Sequence, residues 1–404
     1  MLTVDEALDQ ILSHVDTVAS QGRPLSESLD HILAEDLVTP HDSPPFDKSM
    51  MDGFAVSANG FGVGDVRLSV GELITAGTVP GHPLTQGFAA RIMTGAPIPE
   101  GANCVVPIEK TVFDESAPET VTVSADHVAA DQNILRQGAA AQQGSLLMSS
   151  GVRLQPQHIA VLAEFGVAEV PVHRQPAVAV LATGDELLSY EEPLTPGRIR
   201  NSNEPMLVNQ IRRACGVPQA LGVARDNRNA LKQAITKGLQ NDFLLLSGGV
   251  SAGTLDLVPS ELRAAGVDQI FHRIQMKPGK PLWFGKLRDD EHTCYVFGLP
   301  GNPVSSMICF EAFVRTALRK FSGQSVADPP REAAILTQEV AVRGNRETWF
   351  PAQVHTEGGQ LLCTTVRWGG SADLRSTADA NGMAILPPRP EAWKAGELVD
   401  VVRW

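Results

Sequence analysis

Residues 176–323 alternate in a way that few architectures accommodate. AVAVLAT (177–183) is a continuous apolar run, followed by the amphipathic stretches MLVNQIRRAC (206–215) and LKQAITKGL (231–239), then by the apolar runs DFLLLS (242–247) and YVFG (295–298). Strands buried on both faces read as unbroken apolar runs, and their alternation with helices implies a parallel sheet with right-handed crossovers. A doubly wound α/β domain is therefore predicted over 173–323. Such domains take ligands outside the carboxyl ends of their strands. Three small-residue loops fall there: TGDEL (183–187), SGGVSAG (247–253) and LPGNP (299–303).

Each loop has a chemical reading and a plainer one. In LPGNP, Asn302 suits an N-cap and Pro303 a first helical position, so a helix over 304–320 would turn free N–H groups toward the loop, where anions bind. A capped helix without a ligand is the plainer alternative. SGGVSAG lets backbone approach a ligand and offers the hydroxyls of Ser247 and Ser251, but it matches neither Walker A nor the dinucleotide glycine pattern. Asp185 and Glu186, Asp226 and Asp256 follow strands at the same edge, where N-capping or solvent exposure would also explain each one singly. Beside a polyphosphate such acids call for an intervening cation, and hard oxygen ligands suit Mg²⁺.

MKPGKP (276–281) supplies the opposite charge, with Lys277 and Lys280 three residues apart in a turn stiffened by prolines. Lysine is a compact point charge suited to tetrahedral oxyanions. The loops, acids and lysines together imply Mg²⁺-dependent chemistry on a phosphate-bearing substrate with a second oxyanion.

With 404 residues, two to four domains are expected. Thr3 and Glu6 have capping-box spacing ahead of Leu8, Ile11, Leu12 and Val15, which share a helical face, and a second helical pattern spans 26–37. Residues 41–128 carry glycine-rich turns between short alternating runs such as RLSV and TVTV, which predicts an inserted β-rich domain. A helix over 156–165 opens on proline, and segments 1–40 and 129–172 are predicted to form one discontinuous helical and mixed domain. Residues 324–404 read as a small β-barrel or sandwich. A net charge of −13 without a basic run argues against nucleic-acid or membrane-surface binding. An acidic rather than basic N-terminus and the lack of a long apolar stretch predict a cytoplasmic protein, consistent with five scattered cysteines.

The segments PPFDKSMMDGFAV (44–56), RIMTGAPIPEGANCVVPIE (91–109), LATGDELL, RIRNSNEPML, LLLSGGVSAGTLD, MKPGKP, GLPGNPVSS and GSADLRSTADANGMAILP (370–387) occur in an order that resembles the molybdopterin molybdenumtransferase family, MoeA in bacteria and the E domain of gephyrin. The resemblance implies a four-domain homodimer that inserts molybdate into adenylated molybdopterin and releases AMP with Mg²⁺. Other cofactor-biosynthesis proteins and recipient molybdoenzymes are implied partners. By the same resemblance Asp52 and Thr94 are functional positions of the β domain facing the partner subunit. Glu186, Asp226 and Asp256 are the acidic, metal-holding set. Thr183, Gly184, Asp185, Ser247, Gly248, Gly249, Pro281, Gly301 and Asn302 line the substrate. Lys277, Lys280 and Ser305 contact molybdate, with Ser371 and Arg346 approaching from the C-terminal domain and Arg343 as the competing arginine. The chain departs from the family at Ala139 and Ala140, where an acidic pair is usual. The sequence leaves molybdate and tungstate open, and two other readings have their own signatures: adenylation of molybdopterin would consume ATP instead of releasing AMP, and a non-catalytic scaffold would bind a partner peptide but neither molybdopterin nor molybdate.

Overall fold

In the computed structural model every residue is described except 226, 250–256, 290–291, 326–329 and 343. The chain divides into two compact units, one of residues 1–35, 150–160 and 168–404, the other of residues 36–149 and 161–167.

The first unit is built on a six-stranded sheet in the order Val217–Ala224, Ala177–Thr183, Phe243–Ser247, Thr293–Leu299, Trp283–Arg288, Asp268–His272. The first four strands are parallel, as the apolar runs predict. The last two are antiparallel additions. Helices Asn203–Arg213, Arg228–Gly238 and Val258–Ala264 cross between strands, and apolar clusters cover both sheet faces. The N-terminal helix Val4–His14 joins one of these cores through Val4, Ala7, Leu8 and Ile11. It opens on the expected capping box: Thr3 Oγ accepts from the Glu6 amide at 3.2 Å, and Glu6 accepts from the Thr3 amide at 2.8 Å.

The helix expected over 26–37 does not form. A 3₁₀ turn at Leu25–Glu27 is followed by Asp30 at φ 65° and by the short strands Ile32–Leu33 and Leu37–Val38. Asp30 reverses the chain in a left-handed conformation, so the apolar spacing that mimics a helix instead buries Ile32 and Leu33 side by side. Ile32–Leu33 pairs with Glu169–His173, which pairs in turn with Ser20–Pro24. The helix expected over 304–320 is present but interrupted: α-helical Pro303–Cys309, a wide π turn at Phe310–Val314, then α-helical Arg315–Phe321.

The C-terminal residues form a closed five-stranded barrel. Glu347–Glu357 pairs with both Gln360–Thr365 and Gly382–Leu386, and Glu332–Leu336 and Leu398–Arg403 complete the ring. Closure leaves no free edge.

The second unit carries another six-stranded sheet, Cys104–Pro107, Gly53–Val56, Phe88–Ile92, Asp65–Ile74, Thr120–Ser124, Thr111–Phe113, with apolar clusters around Phe54 and Val106 and around Ala55 and Ile92. Among the described residues no helix is long and apolar enough to cross a membrane.

Candidate functional site

Strand register brings the three loops level. Ala182 lies opposite Ser247, and Ser247 opposite Leu299, while the Gly248 amide donates to the Leu299 carbonyl at 3.1 Å. From Ala177–Thr183 the chain goes first to Val217–Ala224 on one side and then to Phe243–Ser247 on the other. Strand order reverses there, and a reversal point leaves a crevice at the strand ends.

That crevice is a cavity of about 480 Å³ lined by Thr183, Gly184, Glu186, Asn203, Ser247, Gly248, Gly249, Gly301 and Asn302. Its glycines are required by geometry. Gly248 (φ 95°) and Gly249 (φ 66°) are left-handed, and an added Cβ would come within 2.8 Å of the Thr183 carbonyl and 2.6 Å of Val258 Cγ2 respectively. Asn203, at the start of its helix, clamps two loops at once: its Nδ2 donates to Ser247 Oγ at 2.6 Å and to the Gly301 carbonyl at 2.8 Å. Thr183 Oγ and Asn203 Oδ1 are buried without a hydrogen-bond partner among the described residues.

A second cavity, about 590 Å³, holds the cations. Lys277, Lys280, Pro281, Asn302, Ser305, Arg346 and Ser371 line it, with Thr348, Phe350 and Trp368. Its two walls are joined where Met276 and Lys277 pair in parallel with Glu347 and Thr348. Arg346 reinforces the joint by donating from Nη1 to the Met276 carbonyl at 3.1 Å. The turn between the lysines depends on Gly279 (φ 123°), where a Cβ would sit 2.8 Å from the buried Cys309 sulfur. Neither Lys277 nor Lys280 has a carboxylate partner among the described residues. Three cations and the Ser305 and Ser371 hydroxyls facing one space suit a multiply charged oxyanion. The two cavities share Pro281, Pro300 and Asn302.

The predicted cap at Asn302 takes another form. Asn302 occupies the N-cap position, but its side chain makes no capping bond. Instead its Nδ2 donates to Ser371 Oγ at 2.8 Å, and the Val304 amide donates to the Ser371 carbonyl at 3.1 Å. Ser371 thus takes up one of the amides expected to face an anion, and Asn302 becomes a strut between sheet loop and barrel loop.

Of the acids, Glu186 is exposed, and its carboxylate lies over Gly184 (φ 147°), where a Cβ would meet Oε2 at 2.6 Å. Asp185 is exposed, and its carbonyl accepts from Arg225 Nη1 at 2.8 Å. Asp226, Asp256 and the alternative arginine Arg343 lie outside the described residues. Among the described residues no three His, Cys, Asp or Glu side chains gather closely enough to hold a metal ion.

Asp52 and Thr94 belong to the second unit and bond each other. Asp52 Oδ1 accepts from the Thr94 amide and from Thr94 Oγ, both at 2.7 Å. The amide bond first, then the hydroxyl, hold the Asp52 carboxyl below the usual carboxylate range. Ala139 and Ala140 are exposed on a turn that backbone bonds close, Gly138 to Pro44 at 3.0 Å and Ala140 to Ser43 at 2.9 Å. The turn therefore forms without the acidic pair.

No sequence pattern points to Asn203, Thr348, Phe350 or Trp368 as cavity residues. NSNEP reads as an ordinary helix start, which hides the clamp. Trp368 packs edge-on against Phe350 at 5.1 Å, and its Nε1–H is buried without an acceptor among the described residues. A tryptophan just ahead of Gly369-Gly370 was the available signal.

Comparison with known proteins covers nearly the whole chain. Residues 2–166 match the family model described as the MoeA N-terminal region (domain I and II), 179–320 the probable molybdopterin binding domain, and 333–404 the MoeA C-terminal region (domain IV). The chain is 36% identical to a molybdopterin molybdenumtransferase of Bacillus subtilis, covering 99% of this chain and 94% of that protein. Identity to the Staphylococcus epidermidis protein of the same name is 33%, with 99% and 95% covered. Among solved structures, a molybdopterin biosynthesis MoeA protein from Pyrococcus horikoshii aligns with a TM-score of 0.84 at 30% identity, over 100% of this chain and 99% of that one.

Proposed function

The chain belongs to the MoeA family, and we propose that it is a molybdopterin molybdenumtransferase that inserts molybdate into adenylated molybdopterin and releases AMP. The observation that carries the reading is the pair of adjoining cavities: a glycine-lined crevice at the sheet's reversal point, next to a space faced by three cations and two hydroxyls. In this reading Lys277, Lys280 and Arg346 hold molybdate by charge, and Ser305 and Ser371 donate to its oxygens. The adenylated pterin occupies the crevice, with Gly248, Gly249 and Gly301 allowing close backbone approach and Thr183, Asp185, Ser247 and Asn302 supplying polar contacts. Proximity across the shared residues Pro281 and Asn302 brings oxyanion and dithiolene together.

Magnesium is part of the proposal. Glu186 is an exposed hard-oxygen donor at the crevice, which fits such an ion, and Asp226 and Asp256 are proposed to complete its ligands. The ion would neutralise phosphate charge during cleavage of the adenylate. A homodimer, to which Asp52 and Thr94 contribute functional positions, and a cytoplasmic setting belong to the same proposal, as does delivery to recipient molybdoenzymes.

The test is incubation with adenylated molybdopterin, Mg²⁺ and either molybdate or tungstate, measuring AMP released and metal bound to pterin. AMP release that requires oxyanion is expected. Absence of AMP with both oxyanions overturns the reading, and ATP consumption on unmodified molybdopterin would favour adenylation instead.

A further inference from the structure

A smaller cavity of about 210 Å³ in the first unit has an unusual wall: four arginines, Arg153, Arg213, Arg315 and Arg319, beside Cys215. None of them lines the two cavities described above. Arg213 and Arg315 share one carboxylate, Glu311, which is only 1% exposed. Glu311 Oε1 accepts from Arg213 Nη2, and Oε2 lies 3.0 Å from Arg315 Nη1. Glu311 Oε1 also accepts from Gln210 Nε2 at 2.7 Å, while Oε2 has the ion pair with Arg315 but no hydrogen bond among the described residues. Arg153 pairs with Asp30 at 2.8 Å. Arg315 is 8% exposed, and its Nε–H is buried with no acceptor among the described residues.

Two guanidinium groups share one buried carboxylate, and at Arg315, whose side chain is 10% exposed, water screens the positive charge poorly. A buried donor with no acceptor is costly as well. Burial, and then the charge of Arg315, hold the Arg319 guanidinium below its ordinary range, which shows the cations acting on one another. An anion in the cavity relieves both conditions, and arginine's planar fork suits a tetrahedral oxyanion. Size limits the ligand: drug-sized molecules occupy pockets of roughly 300–1,000 Å³, so this one suits a phosphate ion or a small phosphate monoester.

We propose that the cavity walled by Arg153, Arg213, Arg315 and Arg319 binds one phosphate group, separately from the lysine-lined cavity. Bound there, it bridges the helix Asn203–Arg213, the segment Arg315–Phe321 and Arg153 within one unit. Cys215 provides a local reporter, because it is half-buried while Cys104, Cys294, Cys309 and Cys363 are fully buried.

The full-length chain carrying Lys277→Gln and Lys280→Gln, which weakens the other oxyanion cavity, is titrated calorimetrically with inorganic phosphate. Iodoacetamide labelling of Cys215 is followed in parallel, in phosphate and in chloride of equal ionic strength. One saturable site is expected, with labelling slowed by phosphate alone. Adding Arg319→Gln or Arg153→Gln should raise the Kd at least about tenfold, a loss of about 1.4 kcal/mol. The same two substitutions in the otherwise wild-type chain should leave AMP release intact, which verifies folding. Glycerol 3-phosphate distinguishes the source: tighter protection than inorganic phosphate assigns the site to a phosphate monoester, equal protection to the free ion. Neither heat nor Cys215 protection, or unchanged phosphate affinity in both arginine variants, overturns the proposal.

Discussion

Replacing Asn203 by alanine tests the idea that one buried amide holds two ligand loops in register. Nδ2 must face Gly301, because a carbonyl can only accept, and the same nitrogen reaches Ser247 Oγ at 2.6 Å. Ser247 is 2% exposed, so its stranded hydroxyl cannot turn to water and costs about 1–3 kcal/mol. Gly301 is exposed, so its carbonyl can be rehydrated, and that bond is worth only about 1 kcal/mol. The sum is about 2–4 kcal/mol, or roughly 4–8 °C in the calorimetric midpoint of the first unit at ~2 °C per kcal/mol. Because the freed loops carry Gly248, Gly249 and Asn302, kcat/KM for adenylated molybdopterin should fall about 10-fold or more, the equivalent of ~1.4 kcal/mol of lost preorganisation. Ser247→Ala removes one end of the same bond, so the double variant should lose less than the two singles combined. Strict additivity, or an Asn203→Ala midpoint within about 1 °C of wild type, refutes the clamp.

In the basic cavity, Lys280→Gln should raise the KM for molybdate about tenfold or more while changing the KM for adenylated molybdopterin by less than about twofold, measured as AMP release. Equal effects on both would mean that Lys280 serves the pterin instead. At the opposite end of the sheet Asp242, 5% exposed, accepts from Arg174 at 2.5 and 2.6 Å and from the Ala177 amide at 2.8 Å. Asp242→Ala should cost about 3 kcal/mol, the low end for a buried pair because Arg174 stays 41% exposed, with ligand affinity of the folded protein unchanged. Glu347 is pushed above its ordinary pKa by burial, although it accepts from Trp349 Nε1 at 2.7 Å. The folded state therefore holds that proton more tightly than the unfolded chain, and stability present below pH 4.5 is lost as pH rises through the folded-state pKa. Glu347→Gln keeps an acceptor for Trp349 and should melt higher than wild type at pH 7, with the gap closing toward pH 4.5; a gap that widens on acidification contradicts the assignment.

What could be read in advance tracks how local its cause is. AVAVLAT and DFLLLS announce buried parallel strands because burial on both faces leaves no room for polar residues. Trp283–Arg288 and Asp268–His272 escaped notice since the prolines of MKPGKP and the short DQIFH segment give no clear period, and antiparallel pairing with Thr293–Leu299 is a tertiary choice. Over 26–37 one residue separates spacing from structure: Asp30 at φ 65° turns a helical spacing into two strands. Asn302 was placed correctly on the loop, but its side chain bonds Ser371, 69 positions along the chain, a contact that no capping rule foresees.

The choice between Arg343 and Arg346 shows the same boundary from the other side. Spacing alone offers two arginines near one motif. Tertiary structure gives Arg346 a role independent of any ligand, since its bond to the Met276 carbonyl secures the parallel pairing that carries Lys277. Lys277 and Arg346 are therefore not separable contributions to one charge cluster. The arginine holds the strand on which the lysine stands, and both face the same cavity. A lysine at position 346 could keep the charge, but its single ammonium lacks the fork by which the guanidinium bonds the Met276 carbonyl through Nη1 and keeps further donors free for the proposed oxyanion. One of the cavity's three cations therefore also fixes its shape, so the segment that leads into the barrel strand Glu347–Glu357 is a structural wall of the cavity as well as a source of its charge.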